Sequence, residues 1–206
     1  MILSRKISVI LSVSILALSL FFRPGYSKTN GSKNKIGLTI GHWQPNLLIN
    51  EKPASVFNGT ANSLPYLSIN YDRAVWGNVN VHLSVGYWAH RYDSSEPKTT
   101  LVISPLEFGL EHELVDNFIV TPYVLYGAGL LLGKCETGNR LKEVNINHFT
   151  QTGLDLFLQT GLRIAPVSSF EIDLNLGYLY AKFPKKIGSG TDYSGIRATI
   201  GINYLF

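Results

Sequence analysis

The chain is constrained most by an alternation that runs to its last residue. Ile196, Ala198, Ile200, Ile202, Tyr204 and Phe206 alternate with Arg197, Thr199, Gly201, Asn203 and Leu205. Successive side chains of a strand point to opposite faces, so this segment has one apolar face and one mostly polar face. Eight segments read this way: Lys35–Trp43, Leu64–Asp72, Asn78–Tyr92, Thr99–Leu114, Val120–Gly133, Thr150–Ala165, Phe170–Phe183 and Tyr193–Phe206. None of these shows a helical period. The fourth is expected to carry a bulge near Pro105, because its apolar phase is clean only afterwards, at Leu106, Phe108 and Leu110. The expected fold class is all-β, an eight-stranded antiparallel up-and-down barrel.

The connections alternate in length. Long stretches at 44–63 and 134–149 and loops at 93–98 and 184–192 face short links at 73–77, 115–119 and 166–169. Long loops on one side and short turns on the other are the pattern of a barrel that crosses a membrane. The polar face supports this reading. It carries Glu107, Glu111, Asp155, Arg163, Glu171, Asp173 and Arg197. On a lipid-facing wall each Arg or Lys would cost roughly 2–4 kcal/mol near the midplane. Turned into a narrow lumen, the same groups pair, so they are read as a structural ion network. Tyr71, Trp76, Tyr87, Tyr92, Tyr123, Tyr126, Tyr178, Tyr180, Phe183, Tyr193, Tyr204 and Phe206 lie toward strand ends and are expected to form interfacial girdles.

The N-terminal segment fits export. Arg5 and Lys6 precede an apolar run from Ile7 to Phe22, and Gly25 and Ser27 are small residues before a cleavage position. Residues 1–27 read as a secretory signal peptide and 28–206 as the barrel domain. The full chain has 18 basic and 14 acidic residues; Arg5, Lys6 and Arg23 leave with the signal, so 15 basic groups face 14 acidic ones. No basic tract remains to suggest a nucleic-acid partner. The lone Cys135 makes no internal disulfide.

On the signal peptide, the glycine-rich segment Thr121 to Gly129 and the terminal Ile200-Gly201-Ile202-Asn203-Tyr204-Leu205-Phe206, the chain resembles small bacterial outer-membrane β-barrels, the opacity-protein and OmpA-like eight-stranded barrels. The resemblance implies a Gram-negative outer membrane, Sec export and both termini in the periplasm. It also implies that Ile200, Ile202, Tyr204 and Phe206 form an assembly signal for the barrel-assembly machinery. Lipid and lipopolysaccharide are the expected surroundings, with a surface ligand reached through loops 44–63 and 134–149. Lys134, Arg140 and Lys142 are candidates for lipid phosphates.

The expected role is structural or surface-interacting and non-catalytic. The alternatives are a narrow channel for small or hydrophobic solutes, a lipid-A-modifying barrel enzyme, and a secreted soluble lipocalin-like barrel suggested by Gly41-His42-Trp43. For the enzyme, His42 and His90 would lie near the outer rim. Ser84, six residues from His90 on one strand and so about 20 Å away, cannot be its partner; Ser94 and Ser95 remain. The five histidines lack metal-ligand spacing, and neither a cofactor nor a metal is expected.

Overall fold

The structure, a computed structural model, describes residues 34–48, 64–92, 99–115, 120–137, 147–167 and 169–206. The expected signal segment 1–27, Ser94, Ser95, Arg140, Lys142 and most of loop 44–63 lie outside these residues.

Nine strand segments make eight staves. They are β1 (Asn34–Pro45), β2 (Tyr66–Trp76), β3 (Val79–Tyr92), β4 (Thr99–Glu113), β5 (Val120–Thr137), β6 (Asn147–Val167), β7 (Phe170–Ile187), β8 (Gly190–Asp192) and β9 (Gly195–Leu205). The short β8 and β9 together form the eighth stave beside β7, with Tyr193 and Ser194 between them. Each strand pairs antiparallel with its neighbour, and β9 returns to β1, so the sheet closes. The chain is therefore an eight-stave antiparallel β-barrel.

The ladder fixes the geometry. One row runs Asn34, Arg73, Val81, Leu110, Tyr126, Leu158, Tyr178, Ile196 and back to β1 at Gln44. The row returns ten residues along the strand it left, from 34 to 44. Such a stagger forces the strands to tilt by about 35–45°, and a small barrel of this type is filled by its own side chains.

The wall is inside out relative to a soluble protein. Among the described residues, 34 large hydrophobics are exposed and 16 apolar residues are buried. On β7 the outward residues Phe170, Ile172, Leu174, Leu176, Tyr178 and Tyr180 are all 38–55% exposed. The ten steps from Phe170 to Tyr180, at about 3.3 Å each and tilted by about 40°, rise about 25 Å, the height of an apolar membrane belt. A lipocalin-like barrel with polar exterior is excluded by this wall.

Three expectations need correction. There is no bulge at Pro105: β4 keeps one register with β5 from Thr99 to Glu113, straight through Pro105↔Leu131. Its phase is unclear in the sequence because Leu101 and Ile103 point into the lumen and are fully buried, while Val102 points out. Several strands are also longer than expected, with β5 reaching Thr137, β7 reaching Ile187 and β2 running to Trp76. Finally, Tyr123, Phe183 and Tyr193 are buried lumen residues, not girdle residues.

Candidate functional site

The lumen is the place where chemistry-bearing side chains converge. Its near end, holding Asn34 and Leu205, is polar. Arg163 on β6 is the hub. Its Nη2 donates to Glu111 Oε2, its Nη1 donates to Glu113 Oε1 at 2.9 Å, and its Nε lies 3.1 Å from Glu171 Oε2. Its guanidinium also sits 4.8 Å above the Tyr123 ring. Lys35 bridges the same carboxylates, 3.4 Å from Glu113 and 3.3 Å from Glu171. The Tyr123 hydroxyl donates to Asp173 at 2.6 Å, Asn80 donates to Glu111 at 2.7 Å, and His82 meets Asp72 at 2.5 Å. Burying charges is costly unless each is paired, and these groups pair with one another, although Arg163 Nε and Glu171 Oε2 approach as an ion pair without a hydrogen bond.

A second cluster lies at mid-height. Arg197 on β9 grips Glu107 on β4 with two bonds of 2.6 and 3.0 Å and donates to the Tyr66 hydroxyl at 3.1 Å. Ser84 donates to the same carboxylate at 3.3 Å. Asp155 lies in the same row, separated from Glu107 by Gly129. Neither Asp155 oxygen has a protein hydrogen-bond partner. Gly129 leaves the space for it: a Cβ there would lie 2.4 Å from Asp155 Oδ1.

The structure places Glu111, Arg163, Glu171 and Asp173 near the termini, and Glu107, Asp155 and Arg197 above them. Sequence reasoning left out Lys35, Glu113, Tyr66 and Tyr123. The two ionic residues sit at strand ends, and the tyrosines share their composition with girdle positions.

The far end of the lumen is apolar. Trp43, Trp88, Leu101, Ile103, Leu131, Leu179, Ala181, Phe183, Ile187 and Tyr193 are all at most 4% exposed. The two indoles stand 5.0 Å apart, and His90 stacks on Trp88 at 5.9 Å. The β7–β8 hairpin closes this end. Its turn is made by Gly188 at φ 58°, a conformation that favours glycine. Ile187 lies against Gly133, the Tyr193 hydroxyl donates to the Ile187 carbonyl, and Tyr92 pairs with Ser189 at 2.9 Å. Cys135 packs at the edge of this plug.

Between the two ionic clusters a cavity of about 30 Å³ is lined by Asp72, His82, Glu107, Glu111, Asp173 and Arg197, among others. That is room for a water or two, which needs ≳10–15 Å³ each.

The two histidines weighed for catalysis differ in place, and Ser94 and Ser95 lie outside the described residues. His42 faces outward and meets Gln44 at 3.1 Å, whereas His90 is buried in the aromatic stack and Ser84 serves Glu107. Among the described residues no group of three or more His, Cys, Asp or Glu is placed to hold a metal ion. On the outside of the far end, Lys182 lies 3.4 Å from Asp192 and 4.7 Å above the Tyr180 ring. Burial pushes the Asp192 carboxyl up, but the hydrogen bonds of Ser194 and the Lys182 ammonium outweigh it and hold the group below its ordinary range. The expected assembly residues Ile200, Ile202 and Tyr204 face outward on β9 and Phe206 follows just past its end, all 46–60% exposed.

No family model and no curated protein matches the chain. Solved structures do. The chain is similar to Neisserial surface protein A, with 14% identity and a TM-score of 0.57 over 86% of this chain and 98% of that one. It is similar to OprG, an outer membrane protein from Pseudomonas aeruginosa, with 14% identity and a TM-score of 0.54 over 87% and 98%. It is also similar to Ail, the attachment invasion locus protein of Yersinia pestis, solved with the heparin analogue sucrose octasulfate, with 18% identity and a TM-score of 0.51 over 85% and 97%. At these identities the likeness is one of fold. The chain has the fold of the eight-stranded outer-membrane barrels.

Proposed function

We propose that the chain is a non-conducting, non-catalytic barrel of a Gram-negative outer membrane that acts through its extracellular loops. The observation that carries this reading is the filled lumen. Among the described residues, two ionic clusters and an apolar plug fill the lumen around a cavity of about 30 Å³. A solute path needs a continuous opening, and an aqueous channel is a feature of much wider barrels. With the described lumen filled, the face turned to the outside is where the molecule meets partners.

In this reading both termini are periplasmic. The short turn at Gly77 faces the periplasm, and the opposite ends of β1, β2, β5 and β6, which lead into 49–63 and 138–146, face outward. Ile200, Ile202, Tyr204 and Phe206 present the closing strand to the assembly machinery. Ail's bound sulfated sugar makes a polyanion a reasonable first ligand class for the loops.

The test is planar-bilayer conductance of the folded mature protein, beside protease treatment of intact cells. The expected result is no unitary conductance, with cleavage confined to 49–63, 93–98 and 138–146. Reproducible steps, abolished by boiling, would overturn the reading in favour of the channel.

A further inference from the structure

The outer wall changes character at one height on alternate strands. On β3 the outward residues Leu83, Val85 and Tyr87 are apolar, and the stripe ends at exposed Arg91. On β5 Tyr126, Leu130 and Leu132 lead to exposed Lys134, and on β7 Leu176, Tyr178 and Tyr180 lead to exposed Lys182. These are three of the four strands that ascend from the end holding the termini. Each stops its apolar stripe on a cation.

The register shows that the three cations are level. A row climbs ten residues in one circuit of eight staves, or about 1.25 residues per stave. Lys182 pairs with Leu154, and Leu154 with Leu130. Two staves back, the position level with Lys182 is therefore about two and a half residues beyond Leu130. Lys134 lies within two residues of it, about 5 Å along the strand. Likewise Lys134 pairs with Val102 and Val102 with Ala89, which puts the level position on β3 at about Arg91.

We propose that Arg91, Lys134 and Lys182 form a cationic ring that binds phosphate groups of outer-leaflet lipid headgroups; the proposal rests on the membrane orientation given above. The stems of such residues cover apolar surface while their charged ends reach the headgroup layer. Lys182 does this visibly, with its ammonium over the Tyr180 ring at 4.7 Å. Glu136, 2.5 Å from Lys134, and Asp192, 3.4 Å from Lys182, hold the ammoniums in place. Exposed Lys185 and Lys186 stand on the hairpin beyond, so among the described residues cations outnumber carboxylates at this rim. Outward charge is otherwise confined, among the described residues, to the opposite rim at Arg73. A ring of charge at one level fits a planar layer of phosphates better than it fits a soluble ligand.

The test places the folded protein in phosphatidylcholine nanodiscs containing bisphosphorylated lipid A or its dephosphorylated form. Native mass spectrometry then reads the lipid retained on release. The comparison is with the triple variant Arg91→Gln, Lys134→Gln, Lys182→Gln, its fold checked by heat-dependent gel mobility. Wild type should retain the phosphorylated lipid preferentially. Each neutralised cation should weaken retention roughly fivefold, and the triple variant by about a hundredfold. Equal retention by the variant, or of both lipid forms, would overturn the site. So would displacement of the lipid by equimolar inorganic phosphate or sucrose octasulfate, which would make a soluble anion the ligand. Wild type without a heat-dependent shift would instead overturn the membrane reading, and the site with it.

Discussion

The two halves of the lumen solve the same packing problem with opposite chemistry. Near the termini, Arg163 and Lys35 are held among Glu111, Glu113 and Glu171, and every charge depends on its partner. At the far end, Trp88, Leu101, Ile103, Leu131 and Phe183 fill the same cross-section with side chains that depend only on shape. The ionic half sets register, because a one-residue slip of β6 would turn Arg163 toward lipid. The apolar half fills the far end of the described lumen.

Perturbing the ionic half should cost most. Arg197→Met leaves Glu107 buried without its guanidinium and should destabilise the folded protein by about 3–5 kcal/mol. The double variant Glu107→Leu, Arg197→Met removes both charges and should recover most of that. Urea titrations in lipid vesicles, followed by tryptophan fluorescence, give both numbers; equal losses in the single and double variants would show that packing and not pairing holds this layer. In the apolar half, Leu131→Ala should cost roughly 2–5 kcal/mol, with no compensating partner change available.

A finer contrast comes from glycines. A Cβ at Gly129 would come within 2.4 Å of both Asp155 Oδ1 and the Leu106 carbonyl, whereas at Gly201 its nearest contact is Thr39 Oγ1 at 3.0 Å. Gly129→Ala should therefore lose about 1–3 kcal/mol and Gly201→Ala clearly less, by the same titration. The smallest effect belongs to the outer rim. Asp192 is held below its ordinary range, so its contribution is present above that range and lost as pH falls through the lowered value. A carboxyl-detected NMR titration should find its midpoint below that of a model aspartate, and Lys182→Gln should raise it.

The two halves were unequally legible in the sequence. The outward stripe could be read because a lipid-facing wall requires apolar residues on every strand; Ile196 to Phe206 and Phe170 to Tyr180 show strand and face together. The charged lumen could be read because Glu107, Glu111, Arg163 and Arg197 break that stripe in strict alternation. The apolar plug could not. Where both faces are apolar, as at Leu101, Val102 and Ile103, alternation disappears, and Pro105 then looks like a bulge. Tyr123, Phe183 and Tyr193 were misplaced for the related reason that an aromatic near a strand end suits a girdle or a plug equally well. Lys35 and Glu113 lie where strands are expected to fray, so their pairing is visible only in three dimensions.

The most direct measurement is spin-label accessibility along β7 from Phe170 to Tyr180, in a Cys135→Ser background reconstituted in lipid. Labels at Ile172, Leu174 and Leu176 should collide freely with oxygen dissolved in the bilayer, while labels at Asp173, Asn175 and Gly177 should meet neither oxygen nor a water-soluble nickel complex. A period of two in oxygen accessibility, with a quiet inner face, is the result the account predicts. Strong nickel accessibility at the inner positions would mean an open aqueous lumen, and an inverted pattern would mean a barrel whose apolar face is not in lipid; either would contradict it.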